Sequence, residues 1–184
     1  MTAQEKKSII YLTGFMGSGK STIAPILANT IGYKFLDIDK AVEQETGKNV
    51  IDIFLDEGET YFREIEERIV RATSLDDHIV VSLGGGTITS AANLSLVKSS
   101  GVLIYLKTDL QHIFQRVKHR RDRPLLLSKD GERLTDDELL KRIEVMFSVR
   151  EPLYSQADII VETSDKRVGV TVDRIVKMIT PLVD

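Results

Sequence analysis

The sequence predicts an α/β fold, a three-layer doubly wound architecture with helices on both faces of five parallel strands. Three observations lead to this prediction. Five short runs that are typical of strands alternate with segments of helical period. Two of these runs, 78–83 and 102–106, are apolar enough for strands buried on both faces of a parallel sheet. Regular alternation of strand and helix favours right-handed crossovers between parallel neighbours.

The predicted elements fill most of the chain. Strands are expected at 8–13, 33–39, 78–83, 102–106 and 158–161. Helices are expected after the first strand, over about 40–76 with breaks at Gly47 and Gly58, and at 91–99, 109–119, 135–154 and from 168 onward. Gly32 is expected to end the first helix. The prediction is therefore one domain over 1–184, with a helical insertion at about 38–76.

Composition narrows the function classes. A chain of 184 residues with 42% hydrophobic residues suffices for one domain with a single core. The formal net charge of −3 argues against a nucleic-acid-coating protein, and the absence of cysteine excludes disulfides, thiolate metal sites and cysteine nucleophiles. The first ten residues leave no room for a signal peptide, and no apolar run approaches a membrane span. We therefore expect a cytoplasmic protein without nucleic-acid or membrane partners, and a monomer, since no heptad seam is present.

A glycine-rich segment directly follows the first predicted strand. It reads Gly14-Phe15-Met16-Gly17-Ser18-Gly19-Lys20-Ser21, and a helix is predicted after it. The pattern is typical of a phosphate-binding loop, because its backbone N–H groups turn inward on a polyphosphate while the lysine reaches the β/γ oxygens and the serine ligates Mg²⁺. The alternative is an ordinary glycine turn. The pattern predicts ATP or GTP binding by Gly17, Ser18, Gly19, Lys20, Ser21 and Thr22.

Two acids end the second predicted strand. Asp37 and Asp39 are spaced i, i+2, so on a strand they would project on the same side. One could then hold the water of Mg²⁺ while the other meets a hydroxyl nucleophile. The alternative is that Asp39 only caps the next helix.

Two arginines and a glycine run are candidates for the acceptor site. Converging guanidinium groups would select a small anionic substrate, because the fork of Arg63 or Arg150 can bind a carboxylate at two points. The alternatives are a helix-surface pair of Arg63 with Glu67 and a favourable helix-end position for Arg150. The run 84–86 would expose backbone N–H groups to a ligand, or would simply be a flexible turn.

The basic run 118–124 and Gly131 predict a mobile lid at about 118–132. Such a lid could fold over the nucleotide and bring an arginine to the transferring phosphoryl group. A solvated loop is the alternative. His78, His112 and His119 have no ligand spacing, so no metal or catalytic role is expected for them.

Six elements in this order resemble the shikimate kinases of aromatic amino-acid biosynthesis, which share a nucleoside-monophosphate-kinase-like P-loop fold. Besides the phosphate loop and Asp37-Ile38-Asp39, they are Phe62-Arg63-Glu64-Ile65-Glu66, Ser82-Leu83-Gly84-Gly85-Gly86, Arg123-Pro124-Leu125-Leu126 and Arg150-Glu151-Pro152-Leu153-Tyr154. The resemblance covers nearly the whole chain.

The resemblance implies transfer of the γ-phosphoryl group of MgATP to the 3-hydroxyl of shikimate. Shikimate would be held by Asp39 at its hydroxyls and by two arginines at its carboxylate, with the glycine run beside them: Asp39, Arg63, Gly84, Gly85, Gly86 and Arg150. Catalysis would involve Asp39, Lys20 and the lid residue Arg123. Mg²⁺ would be held by Ser21 and Asp37, and the adenine would lie near Arg116 and Lys166. Val168 stands where the family often has proline.

Two other functions fit parts of the pattern. A kinase of another small hydroxy acid, such as gluconate, would keep the phosphate loop but has less reason for the arginine and glycine set. A nucleotide-dependent switch or binding module without catalysis would not need Asp37, Asp39 and Arg123. Comparison of ADP release with shikimate and with gluconate would separate these functions.

Overall fold

The computed structural model describes residues 7–119 and 134–183. Arg123 and most of the predicted lid lie outside these residues. The strands are β1 (Ile9–Thr13), β2 (Lys34–Asp37), β3 (Ile79–Ser82), β4 (Val102–Lys107) and β5 (Ile159–Glu162). The helices are α1 (Lys20–Ile31), α2 (Ile38–Thr46), α3 (Val50–Asp56), α4 (Gly58–Thr73), α5 (Ala91–Ser100), α6 (Leu110–Val117), α7 (Asp136–Tyr154) and α8 (Val168–Ile179), and a 3₁₀ turn spans Thr87–Thr89.

The five strands form one parallel sheet in the order β2-β3-β1-β4-β5. The central strand β1 pairs on both sides, with Ile10 opposite Val80 of β3 and Val102 of β4. All five residues of β1 are buried, as expected for a strand covered on both faces. The prediction of five parallel strands is confirmed.

Alternate side chains of β1 divide the apolar core between the two faces of the sheet. Ile9 and Tyr11 pack with apolar residues of helices α2 to α7. Ile10 and Leu12 pack with residues of α1 and α8 on the opposite face. Each buried side chain of this size contributes roughly 1.5–3 kcal/mol. The layers are therefore helix, sheet and helix, which confirms the predicted three-layer architecture.

Glycines and an aspartate determine where several elements end. Gly32 and Gly47 adopt φ of 74° and 69°, and their N–H groups return to the last turns of α1 and α2, as predicted for C-caps. The predicted extension of the second strand to Asp39 is wrong. Asp37 ends β2 and caps α2, because its carboxylate accepts a hydrogen bond from the N–H of Lys40 at 3.1 Å. This bond satisfies one of the backbone N–H groups that have no partner at the start of a helix. Asp39 lies in the first turn of α2.

The topology brings several loops together at one edge of the sheet. The loops after β1, β3 and β5 and the start of α2 after β2 meet at the carboxyl ends of the strands, where open α/β sheets form their ligand crevices. Helices α2, α3 and α4 lie between β2 and β3 in the chain. Among the described helices, none is long and apolar enough to cross a membrane.

Candidate active site

The loop between β1 and α1 has the backbone that its glycines allow. Gly14, Gly17 and Gly19 have φ of 146°, 79° and 99°, values that side chains rarely permit. A Cβ at Gly14 would also lie 2.7 Å from the carbonyl oxygen of Leu106. The helix N-terminus of α1 follows immediately at Lys20, whose Nζ donates to Gly14 O at 2.6 Å. The free N–H groups and dipole of α1 therefore face the same space as the Lys20 ammonium.

This loop forms the floor of a cavity of about 340 Å³. All the predicted nucleotide-binding residues within the described part of the chain line it: Gly17, Ser18, Gly19, Lys20, Ser21, Thr22, Arg116 and Lys166. Val168 and Thr171 of α8 also line it. The cavity has the size of a small-ligand site.

Arg116 joins two walls of this cavity. Its guanidinium donates to the carbonyl of Gly17 at 2.9 Å and to the carbonyls of Thr163 and Ser164 at 3.4 Å. The buried Thr163 contacts Thr108, because the two hydroxyls lie 2.7 Å apart. The loop after β5 is therefore held against the phosphate loop.

Asp37 and Asp39 both line the large cavity although they do not share a strand. One oxygen of Asp37 accepts the Lys40 N–H, and Ser21 lies in the same cavity. Within residues 7–119 and 134–183, no group of three or more acids or histidines forms a metal cage. Mg²⁺ in phosphate-transfer sites is commonly bound by one or two protein oxygens together with substrate phosphates and water. The hydroxyl of Ser21 and the carboxylate of Asp37 therefore fit Mg²⁺.

A second, smaller cavity of about 60 Å³ adjoins the first. It shares four lining residues with the large cavity: Met16, Asp39, Gly84 and Gly85. Its other walls are apolar or charged side chains and a further glycine: Val50, Phe54, Phe62, Arg63, Glu66, Gly86 and Arg150. Both arginines predicted to bind a carboxylate therefore lie in one small pocket, and Asp39 lies between them and the phosphate loop.

Arg63 has different partners from the one considered from the sequence. Its guanidinium donates to Glu66 at 2.7 Å and to Glu59 at 2.9 Å, whereas Glu67 pairs with Arg71. Burial raises the pKa of Glu66, and the positive charge of Arg63 opposes this rise. The predicted pair with Glu67 is therefore wrong: Arg63 lines the pocket and pairs with the exposed Glu59 and the almost fully buried Glu66.

The glycine run 84–86 after β3 leaves space for neighbouring side chains. A Cβ at Gly84 would lie 2.8 Å from Asp39 Oδ1 and 2.9 Å from Glu66 Oε1, and a Cβ at Gly86 would collide with the Arg63 guanidinium. None of the three glycines has a positive φ. The run therefore lets the acidic and basic side chains of the pocket approach the backbone closely.

Glu66 and Tyr154 were missed as site residues from the sequence. Glu66 Oε1 accepts the hydroxyl of Thr87 at 2.6 Å, and Tyr154 donates to the carbonyl of Gly85. Helical spacing could have found Glu66, because it shares the buried face of α4 with Phe62 and Val70. For Tyr154 we find no comparable local signal.

The phosphate loop and the adjoining arginine-lined pocket define a P-loop kinase of small molecules. A family model described as shikimate kinase matches residues 16–180. The chain belongs to the shikimate kinase family, and it is an enzyme that phosphorylates shikimate with ATP in aromatic biosynthesis.

Several relatives support this assignment over nearly their whole length. The chain is 43% identical over 182 residues to the shikimate kinase of Chlorobium luteolum, covering 99% of this chain and 90% of that protein. It is 45% identical to that of Chlorobium phaeobacteroides strain BS1, covering 94% and 86%. Among solved structures, shikimate kinase from Acinetobacter baumannii in complex with shikimate has a TM-score of 0.85 at 32% identity, covering 96% and 95%.

A gluconokinase from Sinorhizobium meliloti is also similar in structure, with a TM-score of 0.59 at 15% identity, covering 96% of this chain and 93% of that one. A likeness at this identity shows the fold alone. The gluconate kinase considered from the sequence therefore shares the architecture, and the family assignment separates it from this chain.

Proposed function

We propose that the phosphate-loop cavity holds MgATP, that the arginine-lined pocket holds shikimate, and that the γ-phosphoryl group passes to the 3-hydroxyl between them. One observation carries this proposal. Asp39 lines both cavities, together with Met16, Gly84 and Gly85. A hydroxyl bound at Asp39 would therefore face the phosphate loop. Phosphoryl transfer depends mainly on holding the attacking hydroxyl close to the phosphoryl group.

The donor side would act mainly through preorganised charge. Lys20 and the N–H groups at the start of α1 face the cavity, so they would stabilise the negative charge of the phosphate oxygens in the transition state. Arg116, Lys166 and Val168 line the same cavity, and they would contact the adenine. The role of Arg123 stays a prediction from the sequence, since it lies outside the described residues.

Ser21 and Asp37 would hold Mg²⁺ through a hydroxyl and a carboxylate oxygen. When bound, Mg²⁺ neutralises charge on the β- and γ-phosphate oxygens. Because Asp37 is fixed as the cap of α2, its carboxylate has little freedom to move away from this position.

On the acceptor side, Arg63 and Arg150 would bind the carboxylate of shikimate, and Asp39 would bind its hydroxyls. The pocket is lined by two guanidinium groups and by the carboxylate of Asp39, which suits a ring that carries both a carboxylate and hydroxyls. The glycines would let the ring approach the backbone. The complex of the Acinetobacter baumannii relative with shikimate supports the choice of acceptor.

Asp39 would orient the 3-hydroxyl and take up its proton. In the reaction, the hydroxyl oxygen forms a bond to the γ-phosphorus while the bond from that phosphorus to the β,γ-bridging oxygen breaks, which yields shikimate 3-phosphate and ADP. A loose transition state needs proton removal only late, so orientation of the hydroxyl would be the earlier task of Asp39.

Both substrates would be bound by residues of one chain, so we propose that the enzyme acts as a monomer and as a single domain over 1–184. We further propose that the helical insertion at about 38–76 binds the acceptor, since it contributes Asp39, Arg63 and Glu66 to the pocket. A cytoplasmic location, where ATP is abundant, completes the proposal.

The decisive experiment measures ADP release by the wild type and by Asp39→Asn, with shikimate and with gluconate. Loss of a base that contacts the reacting hydroxyl should lower kcat by roughly 10²–10⁴-fold, while ATP affinity stays near that of the wild type. Asp173→Asn, at an exposed position on α8, is the matched control and should retain full turnover. Undiminished activity of Asp39→Asn, or equal turnover with gluconate, would contradict the proposal.

A further inference from the structure

The carbonyl of Gly85 accepts two hydrogen bonds from successive turns of α7. Arg150 donates to it at 3.2 Å, and the hydroxyl of Tyr154 donates to the same oxygen. Arg150 and Tyr154 are spaced i, i+4 and therefore share one face of the helix. Arg150 lines the smaller, arginine-lined cavity, which we call the acceptor pocket, whereas Tyr154 does not.

Tyr154 is the immobile member of this pair of donors. Its side chain is fully buried, and its ring packs on that of Tyr105 in β4 at a centroid distance of 5.2 Å. Burial raises the pKa of Tyr154 to about 12, against the opposing charges of Arg150 and Arg63. The hydroxyl is therefore protonated at neutral pH and remains a donor.

Arg150 is the more exposed of the two donors, and it lines the pocket. Its guanidinium lies 5.9 Å from the ring centroid of Phe15 at the margin of the acceptor pocket. If Arg150 were the sole donor to Gly85, its movement toward an anionic ligand would leave this carbonyl without a partner, and that loss would oppose ligand binding. With Tyr154 present this loss does not occur, because the Gly85 carbonyl keeps the hydrogen bond from Tyr154 when Arg150 turns toward the ligand.

We propose that Tyr154 is a positioning residue for the acceptor: it satisfies the Gly85 carbonyl, and so frees Arg150 for the carboxylate of shikimate. This inference rests on the proposed role of Arg150. Tyr154 acts through Arg150 and touches neither substrate.

Tyr105 provides a matched control from the same stacked pair. It is equally buried, but within the described residues its hydroxyl has no hydrogen-bond partner. Tyr105→Phe therefore removes the same atom from the same ring stack without removing a hydrogen bond, whereas Tyr154→Phe removes the bond to Gly85.

The test measures kcat and KM for shikimate and for ATP in the wild type and four variants. Arg150→Ala should raise the shikimate KM by about 30-fold, as expected for loss of charged hydrogen bonds. Tyr154→Phe should raise it by about 5–10-fold, with kcat and the ATP KM within about twofold of the wild type. Tyr105→Phe should change none of these values by more than about twofold. In the Arg150→Ala background, Tyr154→Phe should add nothing to the shikimate KM.

The outcomes separate this inference from the function on which it rests. An unchanged shikimate KM in Arg150→Ala overturns the proposed role of Arg150, and the role of Tyr154 with it. If Arg150→Ala behaves as expected but Tyr154→Phe leaves the shikimate KM unchanged, or Tyr105→Phe matches its effect, only the inference about Tyr154 fails. An equal effect of Tyr154→Phe with and without Arg150 would also refute it, because Tyr154 would then not act through Arg150.

Discussion

Gly84→Ala tests how tightly the acceptor pocket is built. Gly84 lies beneath two carboxylates, and an added Cβ would come within 2.8 Å of Asp39 Oδ1 and 2.9 Å of Glu66 Oε1. It would also lie 3.0 Å from the hydroxyl of Thr87. The backbone of Gly84 is not in the left-handed region, so any cost of this substitution arises from crowding alone.

The neighbours of Gly84 have little freedom to retreat. Glu66 is 1% exposed and is held by Arg63 at 2.7 Å and by Thr87 at 2.6 Å. Overpacking of this kind typically costs about 1–3 kcal/mol, and a chain of this size loses about 2–4 °C of Tm per kcal/mol. We therefore expect Gly84→Ala to lower the free energy of unfolding by about 2 kcal/mol and Tm by about 4–8 °C. Displacement of Asp39 should lower kcat by about tenfold or more.

Thermal and urea unfolding, followed by circular dichroism, measure the first effect, and ADP release with shikimate measures the second. The control is Gly169→Ala in the first turn of α8, where an added Cβ has nothing within 4 Å. There the better helix propensity of alanine should raise the free energy of unfolding, by up to about 1 kcal/mol. The two Gly→Ala changes should therefore shift Tm in opposite directions.

The reasoning is refuted if Gly84→Ala unfolds within about 0.3 kcal/mol of the wild type and retains full kcat. That result would mean that Asp39 and Glu66 adapt without cost, and the space at Gly84 would then not explain the glycine. Loss of stability with unchanged kcat would place the crowding on Glu66 and not on Asp39.

Three further predictions concern the two substrates and pH. Arg63→Lys keeps the positive charge but loses the two-point fork, so the shikimate KM should rise about tenfold with the ATP KM within about twofold; equal changes would argue against carboxylate binding. Ser21→Ala should raise the Mg²⁺ concentration for half-maximal activity several-fold, and an unchanged Mg²⁺ titration would remove this residue as a ligand. Hydrogen bonding to Asp109, with the charge of Asp165 adding to it, raises the pKa of His112. The folded protein therefore binds a proton on His112 more tightly than the unfolded chain does. The resulting stabilisation of the folded state is fully present below about pH 6.5 and is lost as pH rises through the raised pKa of His112. The urea midpoints of the wild type and His112→Gln should differ most at low pH, and a pH-independent difference would contradict this assignment.

Local patterns in the sequence determined most of the architecture and the donor half of the site. The apolar runs predicted all five strands, and Gly32 and Gly47 were recognised as helix ends because only glycine readily adopts their positive φ. The phosphate loop was readable because its function resides in consecutive residues, between a strand and a helix. The prediction that the second strand extends to Asp39 was wrong, because a single hydrogen bond between Asp37 and the N–H of Lys40 starts the helix two residues earlier.

Tertiary structure decided the acceptor half. The sequence could not choose Glu59 and Glu66 over Glu67 as partners of Arg63, since the choice depends on which face of α4 packs against the glycine run. The sequence also could not predict the hydrogen bond from Tyr154 to the carbonyl of Gly85, which lies 69 residues earlier in the chain. Contacts between distant segments follow from how the helices pack on the sheet, so they leave no local pattern. The sequence alone therefore predicted a nucleotide site at the phosphate loop, and the packing of α4 and α7 determined how the arginine-lined pocket is built.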